Sequence, residues 1–292
     1  MEDAAPRLLI ITADDFGLHP SVNEAVELAH RDVVLSTASL MVGAPAVADA
    51  VERARALPGL RVGLHLVLAD GPALLPPSEI PDLIDEVVDG RGRFGSAMAR
   101  AGCRFFFLPH VRRQLAVEIR AQFAAFAATG LALDHVNAHK HFHLHPTVLS
   151  LIISIGREYG LGAVRLPREA TAPLLLRLWL ALLRRWLTAA GIAHNDYIVG
   201  ISESGHFDEA ALLRALADLP QGVAEIYLHP ACVSGAQIAQ SMPDYHHADE
   251  LAALLSPRVR AAIERAGCVV GGFADLPGAA RVDSQDPLRH TA

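Results

Sequence analysis

A parallel (β/α) barrel of the TIM type is the fold class this sequence predicts, and three observations predict it. Short, continuously apolar runs alternate with helical patterns along nearly the whole chain, the signature of strands joined by crossover helices. Seven or eight such units are present, enough to close a sheet. The 292 residues suit one such barrel, which commonly uses about 250. The expectation is a single domain over 1–278, followed by a tail, 279–292, that has little to bury and is disordered.

Each element has a local reason. Arg7–Thr12 is β-branched and apolar, a strand buried on both faces, and runs into Ala13-Asp14-Asp15-Phe16-Gly17. A helix follows, with Ser21 as N-cap and Glu24 in the reciprocal capping-box position. A second strand is expected at Ala38–Val42 and a helix over Ala46–Leu57, closed by Pro58-Gly59. The third strand, Leu60–Leu68, carries His65 inside an apolar run. Residues 69–96 are rich in Pro, Gly and Asp and read as a long surface excursion beside a substrate cleft. A helix over Pro109–Ala128 precedes the histidine-rich stretch, and Thr147–Tyr159 is helical up to Gly160. Ala163–Pro167 is a short strand with Arg165 at its end, a candidate substrate contact. Further strands at Tyr197–Ile201, Ala224–Leu228 and Cys268–Phe273 are separated by helices at Asp208–Leu219 and His247–Ala266.

Composition narrows the function. A net charge of -7, with 25 basic against 32 acidic residues, argues against a nucleic-acid partner, whose phosphates demand clustered Lys and Arg. Cys103, Cys232 and Cys268 are far apart and form no CxxC pair, so neither a disulfide framework nor a cysteine zinc site is expected. No charged, apolar and small-residue sequence of a signal peptide opens the chain, and a cytoplasmic protein is expected. One segment stands apart. In 172–188, Arg177, Arg184 and Arg185 fall on one side of a helical wheel, while Trp179, Trp186 and the leucines cover the rest. Arginine interrupts it too often for a bilayer span. It reads as a peripheral membrane contact at the inner face or a lid over an apolar ligand; an ordinary outer helix or a homodimer contact are the alternatives.

The chemistry centres on His135-Val-Asn-Ala-His-Lys-His-Phe-His-Leu-His145, which holds five of the fifteen histidines, all at odd positions. On an extended strand, His135, Asn137, His139, His141, His143 and His145 would share one face. Asp14 and Asp15 after the first strand, His65 in the third, the imidazole row and His229 after Glu225-Ile-Tyr-Leu can converge on one barrel mouth. An Asp with two His is a common ligand set for a hydrolytic divalent metal with open positions. The remaining aspartate can then take a proton from water, and a histidine opposite can protonate a leaving group.

Thr12-Ala-Asp-Asp-Phe-Gly17, Gly63-Leu-His-Leu66, His135–His143 and Glu225-Ile-Tyr-Leu-His-Pro230 together resemble, in order, the motifs of the YdjC-like carbohydrate deacetylases. The resemblance implies a distorted (β/α) barrel that removes acetyl groups from N-acetylated sugars with one divalent metal. It implies metal ligation by Asp15, His65 and His139, a general base at Asp14 and a general acid at His229. Magnesium is the ion that family descriptions commonly give, whereas two imidazoles and a carboxylate suit zinc or cobalt. His143 is a reserve ligand through an HxxxH spacing with His139; His135, Asn137, His141, His145 and Arg165 are expected around the metal ligands or the substrate. Asn137-Ala138 departs from the Asp-Ser or Asp-Gly of many members, which removes a charge near the metal. The Asn-Ala-His-Lys-His-Phe-His-Leu-His-Pro form and the oily 172–188 segment resemble the subgroup associated with hopanoid biosynthesis. That implies an N-acetylglucosaminyl lipid as substrate, with a chitooligosaccharide such as diacetylchitobiose as the alternative. Two rivals of other classes are a metal-dependent phosphoesterase and a non-catalytic metal- or lipid-binding protein.

Overall fold

A computed structural model of the chain describes residues 7–32, 34–169, 171–233, 238–239 and 242–279. The expected tail from 280 onward lies outside the described residues. The chain runs β1 (Leu8–Phe16), α1 (Pro20–Arg31), β2 (Thr37–Leu40), α2 (Val47–Arg55), β3 (Arg61–Leu66), β4 (Glu86–Val88), β5 (Arg91–Arg93), α3 (Met98–Phe107) and α4 (Pro109–Ala128). It continues with β6 (Leu133–Ala138), α5 (Pro146–Gly156), α6 (Leu174–Ala189), β7 (Tyr197–Val199), α7 (Glu209–Ala217), β8 (Val223–Leu228), α8 (His247–Leu254), α9 (Pro257–Ala266) and β9 (Val269–Val270).

Seven of the strands form one parallel sheet in the order β6-β3-β2-β1-β8-β7, with β9 alongside the start of β1. β1 is the axis of this sheet. Its apolar run is buried almost throughout and pairs with β8 over six residues, from Leu8 opposite Val223 to Ala13 opposite Leu228. Such a run suits a strand covered on both faces: Leu9, Ile11 and Ala13 share a core with α1, and Ile10 packs on the other side with Ala163, Phe273 and Leu276. The gap between β6 and β7 is bridged by single parallel contacts, Val136 with Val164 and Ala163 with Ala193. The expected strand at 163–167 is thus reduced to isolated bridges, and the barrel is curled and distorted.

Three other expectations are corrected. Helix α1 starts one turn position earlier than Ser21: Pro20 occupies the first helical position, and His19 is the cap, its ring accepting from the Ser21 N–H. The single helix expected over 247–266 is two, because Pro257 has no N–H to continue α8 and Ser256 caps α9 instead. The excursion 69–96 contains the antiparallel β4–β5 hairpin, and α3 follows it. That segment is pinned from below by α4: Gln122 exchanges two hydrogen bonds with the Val67 backbone, and Glu118 accepts the N–H groups of Leu74 and Leu75.

Polar anchors also fix the two ends of the barrel. At the closed end, a Cβ on Gly63 would lie 2.4 Å from the His135 ring, so only glycine on β3 leaves room for that imidazole. At the open end, Glu250 of α8 is fully buried and accepts the backbone N–H of both Phe207 (3.2 Å) and His229. Burial pushes its carboxyl up to about 7, against the opposing pull of those N–H donors. Below the ordinary value of 4.5 both folded and unfolded chains hold this proton; between 4.5 and 7 only the folded chain does. Stability therefore falls as pH rises through that window, each pKa unit being worth roughly 1.4 kcal/mol. Chemical denaturation between pH 5 and 8 should show this decline in the wild type and a flatter profile in Glu250→Gln; parallel profiles would refute it.

Candidate metal centre and active site

Strict alternation along β1 would send Asp14 and Asp15 to opposite faces of the sheet. The structure prevents this with a register break between Ala13 and Phe16 and a left-handed backbone at Asp15, φ 63°. A non-glycine residue in that region is strained, and such strain concentrates at functional sites. Both carboxylates consequently reach the barrel mouth.

Asp15, His65 and His139 are buried and bring one ligand atom each within 4.8 Å of one another. Asp15 Oδ1 lies 3.1 Å from His139 Nδ1 and 3.3 Å from His65 Nε2. The other oxygen, Oδ2, is buried with no partner. Asn137 settles the His65 tautomer. Its amide nitrogen donates to Asp14 Oδ1 (3.1 Å) and Ser39 Oγ (2.9 Å), so its oxygen faces His65 Nδ1 at 2.7 Å and accepts that N–H. The Nε2 lone pair of a neutral His65 then meets a carboxylate oxygen, and two electron-pair donors face each other. Only a proton or a cation stabilises that contact. Two imidazoles, a carboxylate and an orphaned carboxylate oxygen fit a divalent transition ion well.

Asp14 has a different environment. Arg165, fully buried, donates to both of its oxygens at 2.5 and 3.0 Å, and its Nε and Nη2 reach Glu225 Oε1 at 2.9 and 2.7 Å. Thr12 Oγ1 donates to the same Glu225 oxygen at 2.8 Å. Burial alone would push the Asp14 carboxyl up, but the Arg165 guanidinium, helped by His65, holds it well below the usual carboxylate range. For Asp15 burial is likewise outweighed, here by His139.

His229 closes the mouth from the end of β8. Its ring stands edge-on to Tyr227 and Tyr245, with centroids 5.5 and 5.1 Å away, and its Nδ1 is buried without a partner. Its carbonyl accepts from His247 Nδ1 at 2.5 Å. Burial lowers its pKa, partly countered by Asp15 and Asp14.

The shared face expected for the histidine row fails after His139. β6 ends at Ala138, and His139–Leu144 is a tight 3-10 turn in which Lys140 and His141 both have φ 54°. The row is scattered accordingly. His135 is not at the mouth: it is fully buried at the closed end, bonded to Ser39 and Asp134 and stacked on Phe273 at 4.5 Å. His143, the reserve ligand, is outside the three-residue group and buried with neither ring nitrogen partnered. His141 faces Tyr227, and burial followed by Arg165 pushes its pKa down to about 3. His145 sits half-buried among Phe105, Phe106 and Phe142, away from Asp15. Arg165, expected as a substrate contact, has no exposed surface and is committed to its two carboxylates. Asn137 is the bridge between Asp14 and His65.

Sequence reasoning passed over three residues that shape the site. Glu225 had a legible signal, a carboxylate in the middle of an apolar strand. Ser39 and Glu250 had none, because each takes its importance from a partner distant in sequence. A cleft of 1280 Å³, lined by His139 alone of the three metal-ligand candidates, reaches past His19 and Met41 to Asp70, Asp89 and Arg91, so that the β4–β5 hairpin forms its outer wall.

Known proteins share both the fold and much of the sequence. The chain is 31% identical over 257 residues to a carbohydrate deacetylase of Brevibacillus brevis, covering 86% of this chain and 92% of that one. It is 32% identical over 271 residues to a chitooligosaccharide deacetylase of Enterobacter sp. (strain 638), covering 92% and 99%. A solved structure from Enterococcus faecalis V583, provisionally described as a cellobiose-phosphate cleavage protein, superposes with a TM-score of 0.74 at 25% identity over 92% of this chain and 98% of that one. The family model described as YdjC-like protein matches residues 8–265. On the strength of that match the chain belongs to the YdjC-like family.

Proposed function

We propose that this protein is a metal-dependent carbohydrate deacetylase that hydrolyses the acetamide of an N-acetylated amino sugar to the free amine and acetate. The observation that carries the reading is the buried Asp15, His65 and His139 group next to an ion-paired carboxylate, with His139 lining a cleft large enough for a glycan. Relatives described as carbohydrate and chitooligosaccharide deacetylases support the substrate class, and a chitooligosaccharide is the preferred substrate. A two-metal phosphoesterase would need a second ligand group, and among the described residues one such group is found.

Asp15, His65 and His139 would hold the ion, whose softness of ligands favours zinc or cobalt over magnesium. A divalent cation there supplies Lewis acidity toward an amide carbonyl and acidifies water. The protein's own groups do the rest. Asn137 keeps the His65 proton on Nδ1, leaving Nε2 free to ligate. Arg165 keeps Asp14 anionic, so an unprotonated acceptor is available throughout the neutral range. The same ion pair makes Asp14 a weak base, suited to a nucleophile already acidified in the site. His229 would protonate the departing amine; burial lowers its pKa, so the ring rests neutral and acts as an acid only after taking up the proton that Asp14 removes from water, which leaves both groups as they began. A hopanoid-linked N-acetylglucosamine is the second reading, favoured by the exposed leucines of α6.

Two measurements test the proposal. Acetate release from N,N′-diacetylchitobiose by the metal-loaded protein should fall about 10²-fold or more in Asp14→Asn, the usual size of a lost general base; near-normal turnover would remove Asp14 from that role. Zinc or cobalt should raise the melting temperature of the chelator-treated wild type, and His139→Ala should abolish the rise and the bound metal in elemental analysis. A metal content unchanged by His139→Ala would place the ion elsewhere.

A further inference from the structure

Helix α6 is unlike the other crossover helices. Leu180, Leu183 and Leu187 pack inward, but Leu174, Leu175, Leu178 and Leu182 are 54–81% exposed. The stretch 172–188 contains three arginines and no acid, in a chain whose net charge is -7. Arg177 and Arg185 join Arg168, Leu174 and Leu178 around an open groove of 670 Å³. Arg184 pairs with Asp196 at 3.3 Å; among the described residues Arg177 and Arg185 have no carboxylate partner. Cations alternating with exposed leucine on one helix are the composition of an interfacial helix. With 16 residues, α6 is about 24 Å long, short of the ~30 Å bilayer core, and no described helix is long and apolar enough to cross a membrane.

A second exposed apolar edge is tied to the same turn as α6. Trp179 Nε1 donates to the Leu144 carbonyl at 3.1 Å, which ties α6 to the turn carrying His139. The end of α3 is attached to that turn too, with the Phe105 and Phe142 rings 5.3 Å apart, and it exposes Phe106 by 49% and Phe107 by 71%. We propose that α6 and the Phe106-Phe107 edge dock this protein on the surface of a bilayer containing anionic lipid, its arginines on the headgroups and its leucines and phenylalanines below them. Charge complementarity selects this occupant over a second copy of the chain, since a two-fold contact through the same face would bring arginine against arginine. The inference extends the deacetylase reading by presenting the catalytic turn to amphiphilic glycans, yet the docking itself does not depend on the chemistry.

Sedimentation of the full chain with vesicles tests it. Vesicles of phosphatidylcholine with about one third phosphatidylglycerol should carry the protein down, pure phosphatidylcholine should do so far less, and salt should release it. Leu175→Asp/Leu178→Asp and Arg177→Glu/Arg185→Glu should each reduce binding roughly tenfold or more, while acetate release from soluble diacetylchitobiose stays at the wild-type rate. Wild-type protein left in the supernatant, or binding indifferent to both variants, would overturn the proposal. A dimer in light scattering that both variants dissolve would assign the face to self-association instead. Vesicle binding by a protein that releases no acetate would leave the docking intact and sink the deacetylase reading, so the two failures are distinguishable.

Discussion

The ion pair between Arg165 and Asp14, shared with Glu225, is the constraint on which the rest of the site depends. It joins β1, the bridge segment after α5 and β8, three pieces of chain more than fifty residues apart, through one guanidinium with no exposed surface. Burying that cation is tolerable only because two carboxylates receive its N–H groups in good geometry. Loss of either partner would strand a charge in the barrel interior, a penalty of about 3–5 kcal/mol. The irregular strand at 163–167 thus contributes little hydrogen bonding to the sheet but supplies its central charge. Asn137 then passes this fixed point on, from Asp14 to His65, and so to the ligand group.

Much of this was legible in the sequence, and for definite reasons. α4 and β8 fall within a residue of the limits their sequence patterns set, whereas β1 runs four residues past the expected Thr12, to Phe16; Asp14, Asp15, His65, His139 and His229 lie at or beside strand ends. What periodicity could not show was where a strand stops. The histidine row keeps its odd-numbered spacing to His145, yet Lys140 and His141 adopt left-handed backbone angles that no alternation rule anticipates. Asp15 is the converse case. Alternation would have put it on the wrong face, and a bulge corrected it. The split between α8 and α9 was readable from Ser256-Pro257 and passed over, because an apolar helical pattern continues across it.

Polar residues of the interior obey a division of labour. His135, Glu118, Gln122 and Glu250 hold backbone or neighbouring side chains and never reach the cleft, whereas His139 and the hairpin residues line it. A histidine count therefore overstates the size of the reactive centre. Burial depth and the number of hydrogen bonds already spent separate the two classes better than residue type does.

The neutral amide of Asn137 has a consequence for the charge of the whole chamber. Asp14, Asp15 and Glu225 bring three formal negative charges and Arg165 one positive, a balance of minus two among buried side chains. A doubly charged cation brings that sum to zero. An aspartate in place of Asn137 would leave a surplus anion beside His65, so the amide is the isostere that orients the ring while keeping a filled chamber electroneutral.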